Sequence, residues 1–337
     1  TNFADVIVVD RKTGRSLAAP MRLPGRVPER STRLAMPGSV FSNGLLDPEI
    51  REWAWELLVG GAMPSANTPA VDLVSGRVFV AASSTRPGRG VLYALDLTES
   101  EDRVGIEIAF ATEMGPGSGS SPVLSLSGDR VYVSDEQGVF YAIDAGTGTI
   151  VWQVQTKATA AAAAVGANGD IYALQASGPA VVAMTREGRI RWESDLHSLA
   201  ERALPSSWLL GDPVAIGNGN PTVVADAVLV PVVYGYETHL GRRIPWPVIS
   251  SLVALDLETG RGMRDVVGLA DDSTGVTAVL PDGTLVNSLG TALTSGAAPL
   301  AGVAGWLLPG GRELLLPRGG IQVSRPREAP TGALPAD

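Results

Sequence analysis

The chain of 337 residues contains no cysteine. Disulfides, thiolate nucleophiles, Cys-based zinc or iron–sulfur sites and c-type haem attachment are therefore excluded. The absence is compatible with either redox compartment. Histidine is nearly missing too, with only His197 and His239 present, and neither stands in an H-x-H or H-E-x-x-H spacing. No apolar stretch approaches the roughly 18–20 residues that a membrane helix requires, so no membrane span is expected. No segment is rich in Lys or Arg, and the formal net charge is −9. The electrostatic footprint of phosphate-backbone binding is missing, so nucleic acid is not an expected partner. Charged residues are sparse at 18%, while 40 Gly and 24 Pro suit many short strands and turns.

What is present is a repeat. Residues 131–155, VYVSDEQGVFYAIDAGTGTIVWQVQ, hold a strand ending in apolar-Ala-apolar-Asp, a Thr-Gly turn, and a second strand carrying Trp. Alternating apolar residues around a glycine-bearing turn read as a β-hairpin. The pattern returns near Val6, Val91, Ala180 and Ser251, and more faintly near Gly44 and Val303. Aligned on the turns, Asp10, Asp47, Asp96, Asp144 and Asp256 share one position, and Trp55, Trp152 and Trp192 share another. A further pair of short strands precedes several hairpins, giving units of four antiparallel strands. The repeated Asp is expected to accept backbone N–H groups of its own turn. The repeated Trp is expected to pack between neighbouring units, with its N–H on an acceptor.

These residues resemble the pyrroloquinoline-quinone (PQQ) type repeat of β-propellers, with its Ala-x-Asp-x-x-Thr-Gly-x-x-x-Trp hairpin. The match is closest at residues 141–152, good at 254–260 and degenerate at 44–55. The resemblance implies an all-β fold: a single β-propeller of four-stranded antiparallel blades spanning 1–320, followed by a Pro-rich tail at 321–337. Complete units are expected at 66–113, 121–156, 160–195, 221–267 and 274–318. A poorer unit is expected at 25–60, and residues 4–24 supply the last two strands of another. The count points to seven blades, with six and eight also compatible. The tail segment GIQVS at 320–324 is a candidate closing strand, and the alanine run 160–164 is expected to form an innermost strand. The family hosts quinoprotein dehydrogenases, assembly scaffolds and other binders, so it implies a fold more than a function. The quinone enzymes it resembles use a vicinal disulfide and a calcium ion. This chain has no Cys and no counterpart of the calcium motif, so neither PQQ nor another cofactor is expected, and no metal.

In such a blade the loops from second to third strand, and from fourth strand to the next blade, share one rim. The segments 26–63, 84–90, 196–220 and 234–248 are long and all fall there, whereas the turns on the other rim look short. Loops on a rigid scaffold commonly carry binding groups. The candidate ligand- or partner-binding residues are Tyr234, Tyr236, His239, Arg242, Arg243 and Trp246, with Arg86, Arg89, His197, Trp208 and Asp212 beside them. Aromatic and Arg residues together provide rigid contact area and forked hydrogen bonding. The carboxylates Asp135, Glu136, Asp212, Asp271 and Asp272 match no calcium-loop signature, and Asp271–Asp272 reads as an exposed turn. The Gly-rich segment 114–122 leads into a strand and lacks a phosphate-loop Lys, so it reads as an inter-blade connection.

The expected function is a non-catalytic binding or scaffolding propeller whose long-loop rim holds a protein partner or small ligand. The alternative is a propeller enzyme, a lyase, hydrolase or small oxidoreductase, with its site at the axial mouth of the same rim. His239 would then act as base and Arg242 as anion clamp, with Tyr236 and Asp212 alongside. The resemblance implies a periplasmic or extracellular location. The opening at Thr1, without Met and almost inside a repeat, points to further upstream sequence or a removed export signal, or to one subunit of a larger assembly.

Overall fold

The computed structural model of the chain describes residues 5–25, 68–86, 88–100, 103–116, 120–135, 137–156, 162–175, 180–206, 211–217, 219–239, 243–273, 275–290 and 320–325. The expected unit at 25–60 and the hairpin around Trp306 lie outside them.

Chain order begins with a hairpin of β1 (Asp5–Val6) and β2 (Met21–Arg22), bridged again at Val9–Ser16. Blade I follows with β3 (Ala70–Val71), β4 (Val78–Ser83), β5 (Gly90–Ser100) and β6 (Arg103–Met114). Blade II holds β7 (Val123–Leu124), β8 (Arg130–Ser134), β9 (Val139–Asp144) and β10 (Ile150–Gln155). Blade III holds β11 (Ala164–Val165), β12 (Ile171–Gln175), β13 (Ala180–Met184) and β14 (Ile190–Asp195). A short helix, α1 (His197–Ala203), leads into blade IV: β15 (Pro213–Gly217), β16 (Thr222–Val224), β17 (Ala227–His239), β18 (Arg243–Asp256) and β19 (Gly262–Leu269). Blade V contains β20 (Ala278–Val279), β21 (Leu285–Leu289) and β22 (Gly320–Ser324). Each sheet is antiparallel with neighbours in sequence order, the meander of a propeller blade, except that in blade IV β15 and β16 both pair with β17. The short first strands touch in succession, β3 with β7, β7 with β11 and β11 with β16. The sheets therefore fan outward from a common inner row.

Apolar alternation at period two gives the sheets of blades I to IV two greasy faces, and each of these is buried on a neighbour. Phe79, Ala81, Leu92 and Ala94 of blade I meet Val131, Val133, Tyr141 and Ile143 of blade II. Tyr132, Phe140 and Ala142 then meet Ile171, Ala173, Val182 and Met184 of blade III. Val181 and Ala183 meet Val228, Val230, Val253 and Leu255 of blade IV. The N-terminal hairpin joins the same series: Leu23 and Val6 pack on Val80, Val91, Tyr93 and Leu95, and the Tyr93 hydroxyl donates to the Pro24 carbonyl at 2.8 Å. The hairpin thus packs on blade I.

The repeated turn residues behave as their chemistry requires. Asp144 accepts from the backbone N–H of Thr147 and Gly146 and from the Thr147 hydroxyl, which holds its carboxyl below the usual range. Asp10 with Thr13, and Asp256 with Thr259, repeat the arrangement. Each aromatic of an outer strand then docks on the turn glycine of the next blade. Trp152 lies against Gly188, and its Nε1–H donates to the Arg186 carbonyl at 2.8 Å. Trp192 lies against Gly260 and donates to the Leu257 carbonyl at 3.1 Å. In blade I the place is taken by Phe110 against Gly148. A phenyl ring has no N–H to give, and there the Thr112 hydroxyl donates to the Gly148 carbonyl at 2.6 Å instead.

Arginines add a second tie between blades. Arg77 forms a two-pronged pair with Asp96 and also reaches the Ala145 carbonyl of blade II. Arg186 pairs with Asp129, whose pKa is held down to about 2, chiefly by the Ser127 hydroxyl, with Ser125 and Arg186 adding to it. A folded pKa below the unfolded value of about 3.9 stabilises above that value and loses its contribution as pH falls toward the folded one. Stability is expected to decline between about pH 4 and pH 2, and Asp129→Asn to flatten that part of the profile. Denaturation curves recorded across this window with an unchanged slope in the variant would contradict the assignment.

Several expectations need correction. Asp96 does not open a tight turn, because β5 and β6 run on past it to Ser100 and Arg103. This makes a long hairpin on the rim expected to have only short turns. Among the described residues the innermost strand of blade III is Ala164–Val165, which begins at the last residue of the alanine run. GIQVS is a strand, but it pairs with β21 as the third strand of blade V. The sheet therefore continues past residue 320 to Ser324.

Candidate functional site

Alternation explains why segment 234–248 is not a loop. Val228, Val230, Val232, Tyr234 and Tyr236 all lie on one face of β17 and enter one core with Leu199, Ala200 and Leu204 from α1 and its end. The apolar period continues to residue 236, so the strand does as well. β17 and β18 pair out to His239 opposite Arg243. Along the inner edge β16 covers residues 227–229 and β15 covers 232–236, so segment 196–220 contributes a helix and an added strand. A bulge after Tyr234 leaves Val248 and Ile249 exposed.

Tyr234 and Tyr236 are buried in this core. The Tyr236 hydroxyl donates to the Pro205 carbonyl at 2.8 Å, fixing the hairpin to the end of α1. His239 and Arg243 lie on the outer part of the hairpin, where β17 and β18 pair only with each other among the described residues, and Trp246 lies opposite Tyr236, where the pairing with β15 begins. Arg242 and Trp208 lie outside the described residues. His197 is exposed at the first position of α1, and its backbone N–H donates to the Asp195 carboxylate at 2.8 Å. Asp212 is exposed just before β15. Arg86 is paired with Glu113 at 3.0 Å, and Arg89 is exposed nearby. The antiparallel order puts all of these at the same ends of the strands. The hairpin and the α1–β15 segment are joined, while Arg86 and Arg89 stand in blade I, with blades II and III between.

Two buried polar groups on this rim were not anticipated. Asp135 is buried and accepts from the N–H of Gln137 and Val139, both at 2.9 Å, and from the Tyr141 hydroxyl at 2.7 Å. Burial first, and then this carboxylate, push the Tyr141 hydroxyl up to about 12. Gly115 donates its N–H to the same hydroxyl, and its missing side chain leaves room for the Asp135 carboxylate. The arrangement ties the blade I–II connection to the blade II turn. Asp271 and Asp272 are each 3% exposed, not an outward turn. They cross from blade IV to blade V, where Gly290 donates to the Asp272 carbonyl at 2.6 Å and the Asp272 carboxylate lies against Gly290. The Asp-x-x-Gly spacing at Asp135–Gly138 is the signal that could have revealed the first. Nothing local distinguishes the second, since its burial comes from packing between sheets. Among the described residues no group of three or more His, Asp or Glu side chains is placed to hold a metal ion. No helix among them is long and apolar enough to cross a membrane.

Four-stranded antiparallel sheets stacked face to face, with outer-strand aromatics on the next turn glycine, define a β-propeller built from PQQ-type repeats. A family model described as the outer membrane protein assembly factor BamB matches residues 103–262, just under half of the chain. That stretch runs from the last strand of blade I through the β17–β18 hairpin. No curated protein sequence gives a match. The crystal structure of BamB from Moraxella catarrhalis is similar at 20% identity and a TM-score of 0.41, covering 70% of this chain and 63% of that one. The quinohemoprotein alcohol dehydrogenase ADHIIG from Pseudomonas putida HK5 is similar at 18% identity and a TM-score of 0.37, covering 51% of this chain and 28% of that one. The chain thus matches less than two thirds of the length of either structure.

Proposed function

We propose that this propeller is a non-catalytic scaffold, located in the periplasm or at the outer membrane, that holds a protein partner during outer-membrane assembly. The observation that carries the reading is the family match over residues 103–262, which takes in blades II and III and the rim hairpin of blade IV. The geometry supports it. A projecting hairpin braced by β15 and α1 is a preorganised surface, so little ordering entropy opposes binding. His239, Arg243 and Trp246 on that hairpin, flanked by His197 and Asp212, are the proposed contact residues. Trp and Arg are the residue types that commonly dominate binding energy at an interface.

The test is capture of the partner by the full chain against the variant Arg243→Ala/Trp246→Ala. Loss of a central aromatic or Arg contact typically weakens binding by 2 kcal/mol or more, about 30-fold. Capture is expected to be lost while the melting temperature is unchanged. Capture at wild-type strength by the folded variant would move the partner surface off this hairpin.

A further inference from the structure

Strand register aligns the blades residue by residue. In blade I, Val80 pairs with Tyr93 and Val78 with Leu95; in blade II, Val133 pairs with Tyr141 and Val131 with Ile143. The matching pairs are Ala173–Val182 and Ile171–Met184 in blade III, and Val230–Val253 and Val228–Leu255 in blade IV. Cross-strand partners share one face of a sheet. In each of these blades that face packs on the sheet before it, and every residue at these positions is aliphatic or aromatic.

Blade V breaks the rule. The same places hold Asn287 paired with Gln322, and Leu285 paired with Ser324. This face also turns to the sheet before it. Leu285 and Leu289 pack on the cluster of Leu229, Leu252 and Leu269 in blade IV. Gln322 donates to the Gly268 carbonyl and accepts from the Ala270 N–H, both at 2.9 Å. Asn287 is 0% exposed. Its Oδ1 accepts from the buried Thr277 hydroxyl at 2.7 Å, while its Nδ2 has no partner among the described residues. At these positions the blade IV–V contact gains less from apolar burial than the contacts before it. It also carries a buried amide whose N–H groups water would satisfy once the contact opened.

We infer that blade V separates from blade IV as a unit while blades I to IV stay packed, and that Asn287 sets how readily it does so. Opening hydrates the Asn287 amide and uncovers the apolar face of blade IV around Leu229, Leu252 and Leu269. Proteins commonly open below their global unfolding energy in contiguous supersecondary units, and a blade is one. Once detached, β20–β22 keep little beyond their own hydrogen bonds, which are marginal in water, so their amides exchange.

Hydrogen exchange of the full chain, read by mass spectrometry on peptides from each blade, tests this. Backbone amides of β21 are expected to exchange at least about tenfold faster than those of β8, β9, β12 and β13. Thr277→Val/Asn287→Val removes both members of the buried bond and places at 287 the residue that blades I, II and IV carry there. It should slow exchange in β21 about tenfold, the effect of removing one unpaired buried group, and leave blades II and III as they were. Gln322→Ala deletes the two bonds to blade IV and should speed exchange in β21 alone. Equal rates in β21 and the central strands of blades II and III would overturn the inference. So would exchange in β21 that the Val pair leaves unmoved or accelerates. If the Val pair lowers the melting temperature of the whole chain, Gln322→Ala decides, and a change common to all blades contradicts separate opening.

Discussion

Trp152→Ala is expected to lower stability by about 3 kcal/mol, at the lower end of the range for removing a large packed aromatic because the ring is only partly buried. The ring packs near Tyr132 and Phe140, with centroids 5.9 and 6.3 Å away, and covers the turn at Gly188 in the next blade. Ala would remove that contact and the Nε1–H donated to the Arg186 carbonyl. Trp152→Phe should cost much less, about 1 kcal/mol for the lost hydrogen bond. Blade I already works with Phe110 at this place. Urea denaturation of the three proteins gives the order, and equal losses for Ala and Phe would mean that the hydrogen bond, not the ring, holds the blades together.

The second large effect concerns the turn glycines, where two costs can be separated. Gly188 adopts φ 83°, and a Cβ there would stand 2.7 Å from the Trp152 ring. Gly188→Ala therefore combines a left-handed backbone penalty of about 1–2 kcal/mol with overpacking of about 1–3 kcal/mol. Gly14 adopts φ 67° in an equivalent turn with open space around it. Gly14→Ala should cost only the backbone part. A loss at Gly188 about 2 kcal/mol larger than at Gly14 is the expected result. Equal losses would show that Trp152 does not rest on the turn in solution.

Much of this architecture is legible in the sequence, because its determinants are local and repeated. The Asp-x-x-Thr-Gly turns, the Trp four residues after the glycine, and the period-two strands each state one requirement of a four-stranded blade. Legibility ends where the outcome depends on what lies beside a strand. Segment 234–248 carries the mixed aromatic and charged composition of a binding loop. Yet Tyr234 and Tyr236 continue the alternation begun at Val228 and are claimed by the core beneath α1. Asp96 stands at the same aligned position as Asp144, but the strand continues and Arg77 takes its carboxylate. Asp271 and Asp272 read as exposed because nothing nearby in sequence buries them. Their surroundings are supplied by Gly290 and the edges of two blades. For the rim residues, composition identified the hairpin, and the backbone places His239 and Arg243 on its outer part and Trp246 opposite Tyr236.

Native mass spectrometry of the protein purified from its source, at low collision energy, tests the scaffold reading most directly. The account predicts a stoichiometric complex with another protein, and no loss of that complex when small molecules are removed by dialysis. A protein that carries a small-molecule or metal mass increment and no protein partner would contradict it, and would point instead to chemistry at the axial mouth of the rim.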